Sequence, residues 1–156
     1  MIELIPSTPR DITIVAANMR EWDRTELEAS ATGSMTERAL FCHYTSQPWA
    51  CVALLNGEPV AAFGAAGTPL QPQVKVAWAF GTSRFRRVVP AISREIERWK
   101  PHFIADGIHR VEARCLVSHD LAGRWMAGLG FSREGVMRHY GRNGEDFELW
   151  AWTAEN

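Results

Sequence analysis

The chain is 156 residues long with 46% apolar and 22% charged residues, the balance of an ordinary folded domain rather than a fibrous or disordered chain. Its formal charge of −1 leaves no basic surplus, which argues against general nucleic-acid binding but not against a local basic patch. Three cysteines, Cys42, Cys51 and Cys115, form no C-x-x-C pair, so neither a disulfide framework nor a zinc site is suggested. Each has apolar neighbours and reads as a small buried hydrophobe. No segment approaches a membrane span, and "MIELIPSTPRD" lacks the charged start and long apolar run of a signal peptide. A single domain over 1–156, cytoplasmic and without a membrane partner, is the expectation.

In chain order, "IELI" is a short strand. A helix follows over "STPRDITIVAANMREW", with Thr8 as cap, Pro9 in the first helical position and Asp11 in the first turn. "MTERALFCHYTS" predicts another helix with Leu40, Phe41 and Tyr44 on one side. "WACVALLNGEPVAAFGAA" reads as a hairpin turned at Asn56-Gly57, with Pro59 at the start of its second strand. After the loop "GTPLQPQ", "VKVAWAF" is the next strand. Val88, Val89, Ile92, Ile96, Trp99 and Phe103 then give a helical stripe, which Pro101 should kink or end early, with Gly107 as a stop. "IHRVEARCLVS" alternates as a strand carrying Val111, Ala113, Cys115 and Val117 on one face. "HDLAGRWMAGLGF" is a short helix, and "REGVMRHYGRNGEDFELWAW" a final hairpin turned at Asn143-Gly144. An α/β fold results: a mixed sheet of six to seven strands with helices on both faces and a parallel crossover in the middle. An exposed Trp150 and Trp152 face on the last strand would favour a homodimer.

Between the fourth strand and its helix lies "GTSRFRRVV", a basic turn of the kind that holds anions at a helix N-terminus. Only Gly81 in it allows close backbone approach, while Arg84, Arg86 and Arg87 offer side-chain forks for phosphate. A solvated basic loop is the alternative reading. The chain has no P-loop, G-x-S-x-G, H-E-x-x-H or EF-hand pattern.

The element order and the ending "LGFSREGVMRHYGRNGEDFELWAW" resemble the GNAT superfamily of acyl-CoA-dependent N-acetyltransferases. The likeness runs from about Trp49 to Trp152. It is most similar to short GNAT-like proteins of tailed bacteriophages, some labelled internal virion proteins, which share a "GT..F" turn. The resemblance implies a GNAT-like sheet, acetyl-CoA as cosubstrate, and an amine-bearing small molecule or protein as acceptor. It places coenzyme A against Phe80, Gly81, Thr82, Arg84, Arg86, Arg87 and Trp125, with a core position as the alternative for Trp125, although the family's glycine-rich loop is not matched here.

By the same resemblance, the family's Asn and Tyr positions fall on His119 and Met126, so the usual acid for the departing thiolate is missing. His119 is a candidate acid or base, or else a helix-cap partner beside Asp120. Tyr140, read as a strand residue, is a candidate acid, or a packing residue with a wet tip. Glu112 is a base candidate if its face of the strand opens on the cleft. Two readings remain: an N-acetyltransferase, cytoplasmic in a bacterial host, or a catalytically degenerate phage accessory or virion protein that binds a protein partner. A nest of N–H groups in the turn beside splayed strands favours the first; Phe85 filling that space favours the second.

Overall fold

The computed structural model describes residues 1–155. Its elements run β1 (Ile2–Pro6), α1 (Pro9–Ala17), α2 (Glu21–Ser30), α3 (Met35–Thr45), β2 (Ala50–Leu55), β3 (Glu58–Gly67), β4 (Val74–Gly81), a 3-10 turn (Phe85–Arg87), α4 (Val89–Ala105), β5 (Arg110–Leu116), α5 (Asp120–Gly128), β6 (Ser132–Met137) and β7 (Phe147–Thr153). The seven strands form one mixed sheet in the order β1-β2-β3-β4-β5-β7-β6. Only β4 and β5 pair in parallel, as a strand-helix-strand crossover requires.

Local chemistry accounts for most of this. Thr8 accepts the Asp11 N–H at 3.2 Å and Pro9 opens α1. Asn56 and Gly57 both take positive φ, 53° and 82°, which closes the β2–β3 hairpin with the twist its strands need. α4 and the Val88 that precedes it lay Val88, Ile92, Trp99 and Phe103 on one sheet face, against Phe63, Val111 and Ala113. On the other face Ile12, Val15 and Ala39 of α1 and α3 pack with Val52, Ala62 and Phe80.

Four expectations are corrected. The N-terminal helical stretch is two helices, because the chain breaks at Asn18–Arg20, where the Arg20 N–H donates to the Gly81 carbonyl at 2.8 Å. α3 buries Arg38, Ala39 and His43 and leaves Phe41 and Tyr44 exposed, the reverse of the apolar face that its sequence offers. α4 runs through Pro101, since Trp99 and Phe103 anchor it on both sides of the lost N–H. Asn143-Gly144 is not a two-residue turn: β6 ends at Met137, β7 begins at Phe147, and the Asp146 carboxylate accepts the His139 N–H at 2.9 Å inside the connecting loop. Tyr140 therefore lies on that loop and not on a strand.

Trp150 and Trp152 are half-buried and pack against the α4-face core, leaving no open tryptophan face on β7. Of the cysteines only Cys115 is fully buried, while Cys42 and Cys51 are half-buried. No described helix is long and apolar enough to cross a membrane.

Candidate functional site

β4 and β5 pair only through Val74–Arg110, Lys75–Val111 and Val76–Glu112. Beyond that point β4 continues to Gly81 and β5 to Leu116 without partnering each other, and the two strands part. A cleft of about 1200 Å³ opens there, lined by residues of both sheet faces, among them Ala79, Phe80, Ala113, Trp125 and Met126.

Parting strands leave backbone N–H groups without a ladder partner, and buried donors must be satisfied elsewhere. α2 supplies the acceptors. Asp23 takes the Gly81 N–H at 2.8 Å, and Glu26, one turn on, takes the Leu116 N–H at 3.2 Å. Asp23 is itself buried and held by a two-pronged Arg20 contact at 2.7 and 3.2 Å. The sequence pattern does not distinguish α2, so Arg20, Asp23 and Glu26 are not legible in it as site residues. Their only signal is an i, i+3 acidic pair in "EWDRTELEAS", which reads equally well as a solvated face.

His119 heads α5 but makes no side-chain cap bond, so the capping alternative fails. Its Nδ1 lies 2.8 Å from Glu26 Oε1 and its ring stacks on Trp22, with centroids 4.5 Å apart. A carboxylate accepts, so Nδ1 carries its hydrogen toward Glu26, and in the neutral ring the lone pair then sits on Nε2. His119, Glu26 and Tyr140 all line the cleft. Tyr140 is exposed at its rim, with the Arg114 guanidinium 5.8 Å from its ring centroid and Phe147 against its edge.

Glu112 does not line the cleft. It lies between Arg110 at 3.4 Å and Arg114 at 3.5 Å, in a charge cluster that Arg110 extends to Glu134. Cys115 does line it, but burial, then the nearby negative charges of Glu26 and Glu148, push its thiol up to about 12. At neutral pH it is a thiol and no nucleophile.

Most N–H groups of the basic turn are bonded within the protein. Thr82 N–H donates to Val60, Phe85 N–H to Thr82, and Arg87 N–H to Arg84, all among backbone groups. The Arg84 N–H goes to Thr82 Oγ1 at 3.2 Å. Phe85 is buried beneath Gly81, under the Arg20 guanidinium at 4.3 Å and edge-on to Trp125 at 5.7 Å. A Cβ at Gly81 would collide with the Phe85 ring, so here the glycine makes room for a side chain instead of a ligand. Of the anticipated cofactor residues, Phe80, Arg86 and Trp125 line the cleft; Gly81, Thr82, Arg84 and Arg87 do not. Arg84 is instead paired with Glu58 at 2.7 Å, and Arg86 and Arg87 are exposed.

No protein-family profile matches the sequence, and no curated protein is significantly similar to it. Solved structures do match. A ribosomal-protein-S5-alanine acetyltransferase from Vibrio fischeri superposes with TM-score 0.70 at 17% identity, over 99% of this chain and 94% of that one. An acetyltransferase of the GNAT family from Streptococcus pneumoniae gives TM-score 0.70 at 17% identity, over 99% and 100%. A Salmonella typhimurium protein assigned as an acetyltransferase, solved with its cofactor acetyl-CoA, gives TM-score 0.76 at 12% identity, over 100% and 95%. At these identities the likeness establishes the fold, and the chain has the GNAT fold.

Proposed function

We propose that the chain is an acyl-CoA-dependent N-acetyltransferase that moves an acetyl group from acetyl-CoA to a primary amine by direct transfer. The observation that carries this reading is the parting of β4 and β5 into a cleft with the Glu26–His119 pair on its wall. Structural neighbours of the same fold, one of them solved with acetyl-CoA, support it.

The cleft suits a pantetheine arm, being lined by Ala79, Phe80, Ala113 and Trp125. The diphosphate would rest on the exposed Arg86 and Arg87 side chains, because most of the turn's N–H groups, those of Thr82, Arg84, Phe85 and Arg87, are engaged in internal bonds. Gly81 N–H points away from β3 to Asp23, so strand alternation turns the Ala79 N–H to the same side. Ala79 lines the cleft and is the donor placed to polarise the thioester carbonyl.

His119 Nε2 takes one proton from the substrate ammonium, and the Glu26 carboxylate stabilises the resulting imidazolium. The amine nitrogen then bonds to the carbonyl carbon, the adduct collapses and the C–S bond breaks. Tyr140 gives the departing thiolate a proton. The second proton shed by nitrogen offsets that one, so each turnover releases one proton to solvent.

Phe85 supports a second reading. A ring buried where a glycine-rich loop would cradle phosphate fits a degenerate GNAT-fold protein, phage accessory or virion-borne, that holds a protein partner. Titration calorimetry with acetyl-CoA, with desulfo-CoA and adenosine as controls, decides between them. Micromolar binding that adenosine does not reproduce is expected; no binding up to millimolar concentration would leave the second reading.

A further inference from the structure

Resting on the transferase reading, we infer that the acceptor amine also carries an oxyanion, a carboxylate or a phosphonate-type group, held by Arg38 on the α3 wall of the cleft. Arg38, Phe41, Cys42 and Thr45 recur at the spacing of one helix face, and all four line the cleft. Arg38 is 8% exposed. Its Nε is fully enclosed without a hydrogen-bond partner, and among the described residues no carboxylate lies within ion-pair distance of its guanidinium. A guanidinium is a lasting cation, and burying one unpaired is among the most costly arrangements a fold can hold.

Among the described residues, the cleft has no spare anion of its own to offer. Asp23 is bound by Arg20 and the Gly81 N–H, and Glu26 by His119 and the Leu116 N–H. Glu37 closes the Ser34 capping box at 2.7 Å. Two other cations of the cleft, unlike Arg38, are fully engaged. Arg20 has Asp23, and Lys100 has Glu97 at 2.7 Å and the Leu129 carbonyl at 2.6 Å. Arg114 reaches Glu112 only at 3.5 Å, and its Nε is likewise enclosed and unbonded, so a second under-used guanidinium borders the same space.

Position separates this charge from the diphosphate end. Arg86 belongs to the turn that leads into α4, whose apolar stripe covers one sheet face. α3 packs on the opposite face, with α1. Arg114 alternates with Ala113 and Cys115 on β5 and so points away from the α4-face core that Ala113 joins. An oxyanion on Arg38 therefore belongs to the acceptor and not to coenzyme A. An amino acid and an aminophosphonate are the simplest amines that carry such an oxyanion, whereas the α-carboxyl of a protein N-terminus is tied up in a peptide bond.

The test is calorimetric titration of the full chain with glycine, L-methionine and L-phenylalanine, each against its own decarboxylated amine and its aminophosphonate counterpart. About tenfold tighter binding of at least one acid or phosphonate over its amine is expected. That preference should vanish in R38M, weaken in R38K, and survive R86E. The carboxylate and phosphonate arms tell which oxyanion is taken. R38M should melt no lower than the parent protein, since it removes an unpaired buried charge and keeps the volume. Equal affinity for acid and amine across the panel, no binding of any acid, or a preference that persists in R38M would overturn the inference. Acetyl-CoA titration of the same samples is scored separately. Acetyl-CoA binding without an oxyanion preference removes only this site, and an oxyanion preference without acetyl-CoA binding removes the transferase reading instead.

Discussion

Asp23 and Glu26, one turn apart on α2, accept the Gly81 and Leu116 N–H groups at 2.8 and 3.2 Å, so one helix ties down both strand ends where β4 and β5 part. The cleft is thus held open by satisfied hydrogen bonds and not by a defect in pairing. Asp23 is the more deeply committed of the two. D23A would strand Arg20 and the Gly81 N–H together, and a loss of about 3–5 kcal/mol in urea unfolding is expected for a broken buried pair. A loss under 1 kcal/mol would show that water replaces the carboxylate.

Glu26 serves both the backbone and His119, and E26Q separates these roles. The amide oxygen can still accept the Leu116 N–H, but it no longer stabilises an imidazolium. Turnover with an accepted amine should fall about 10²- to 10⁴-fold in both E26Q and H119A, the range for loss of a positioned base. Acetyl-CoA affinity should stay unchanged. Steady-state rates paired with calorimetry check this; full activity in H119A would remove His119 from the reaction.

The exposed arginines of the turn are expected to carry the diphosphate. R86E/R87E should weaken acetyl-CoA binding at least about tenfold, whereas R84E should have little effect because Arg84 is engaged by Glu58. Unchanged affinity in the double variant would place the diphosphate elsewhere.

Gly81 is a packing glycine. G81A drives a methyl group into the Phe85 ring and within 2.8 Å of the Val60 carbonyl. Overpacking of this kind costs about 1–3 kcal/mol. The double change G81A/F85L should recover part of that cost, as read by the unfolding midpoint.

The cysteines predict an alkaline limit. Burial, with carboxylate neighbours at Cys51 and Cys115, raises Cys115 and Cys42 to about 12 and Cys51 to about 11, against 9.0 for the free thiol. The native state then holds protons that the unfolded chain releases, so stability is intact below pH 9 and is lost as pH rises from 9 towards 12. Melting temperature should fall over that window, and less steeply in C42A/C51A/C115A. Cys115 should also resist iodoacetamide at pH 8 in the folded protein.

The Thr8 cap, the Asn56-Gly57 hairpin and the position of the basic turn are legible in the sequence because each depends on neighbours a few residues away, and the strand-helix-strand order around α4 implies the parallel crossover. Tertiary structure alone decided the site. Glu26 meets His119 across 93 positions and Leu116 across 90, and Asp23 meets Gly81 across 58; an acidic helix in isolation shows only a polar face. The burial of Arg38 in place of Phe41 on α3 was likewise invisible, since periodicity assigns the apolar side to the interior and cannot foresee a cleft that receives a charge. Tyr140 moved off its expected strand for the same reason. Asp146 and Glu145 bind N–H groups of the β6–β7 loop, and Arg142 docks it on the Ala29 and Ala31 carbonyls, contacts that local turn propensity does not encode.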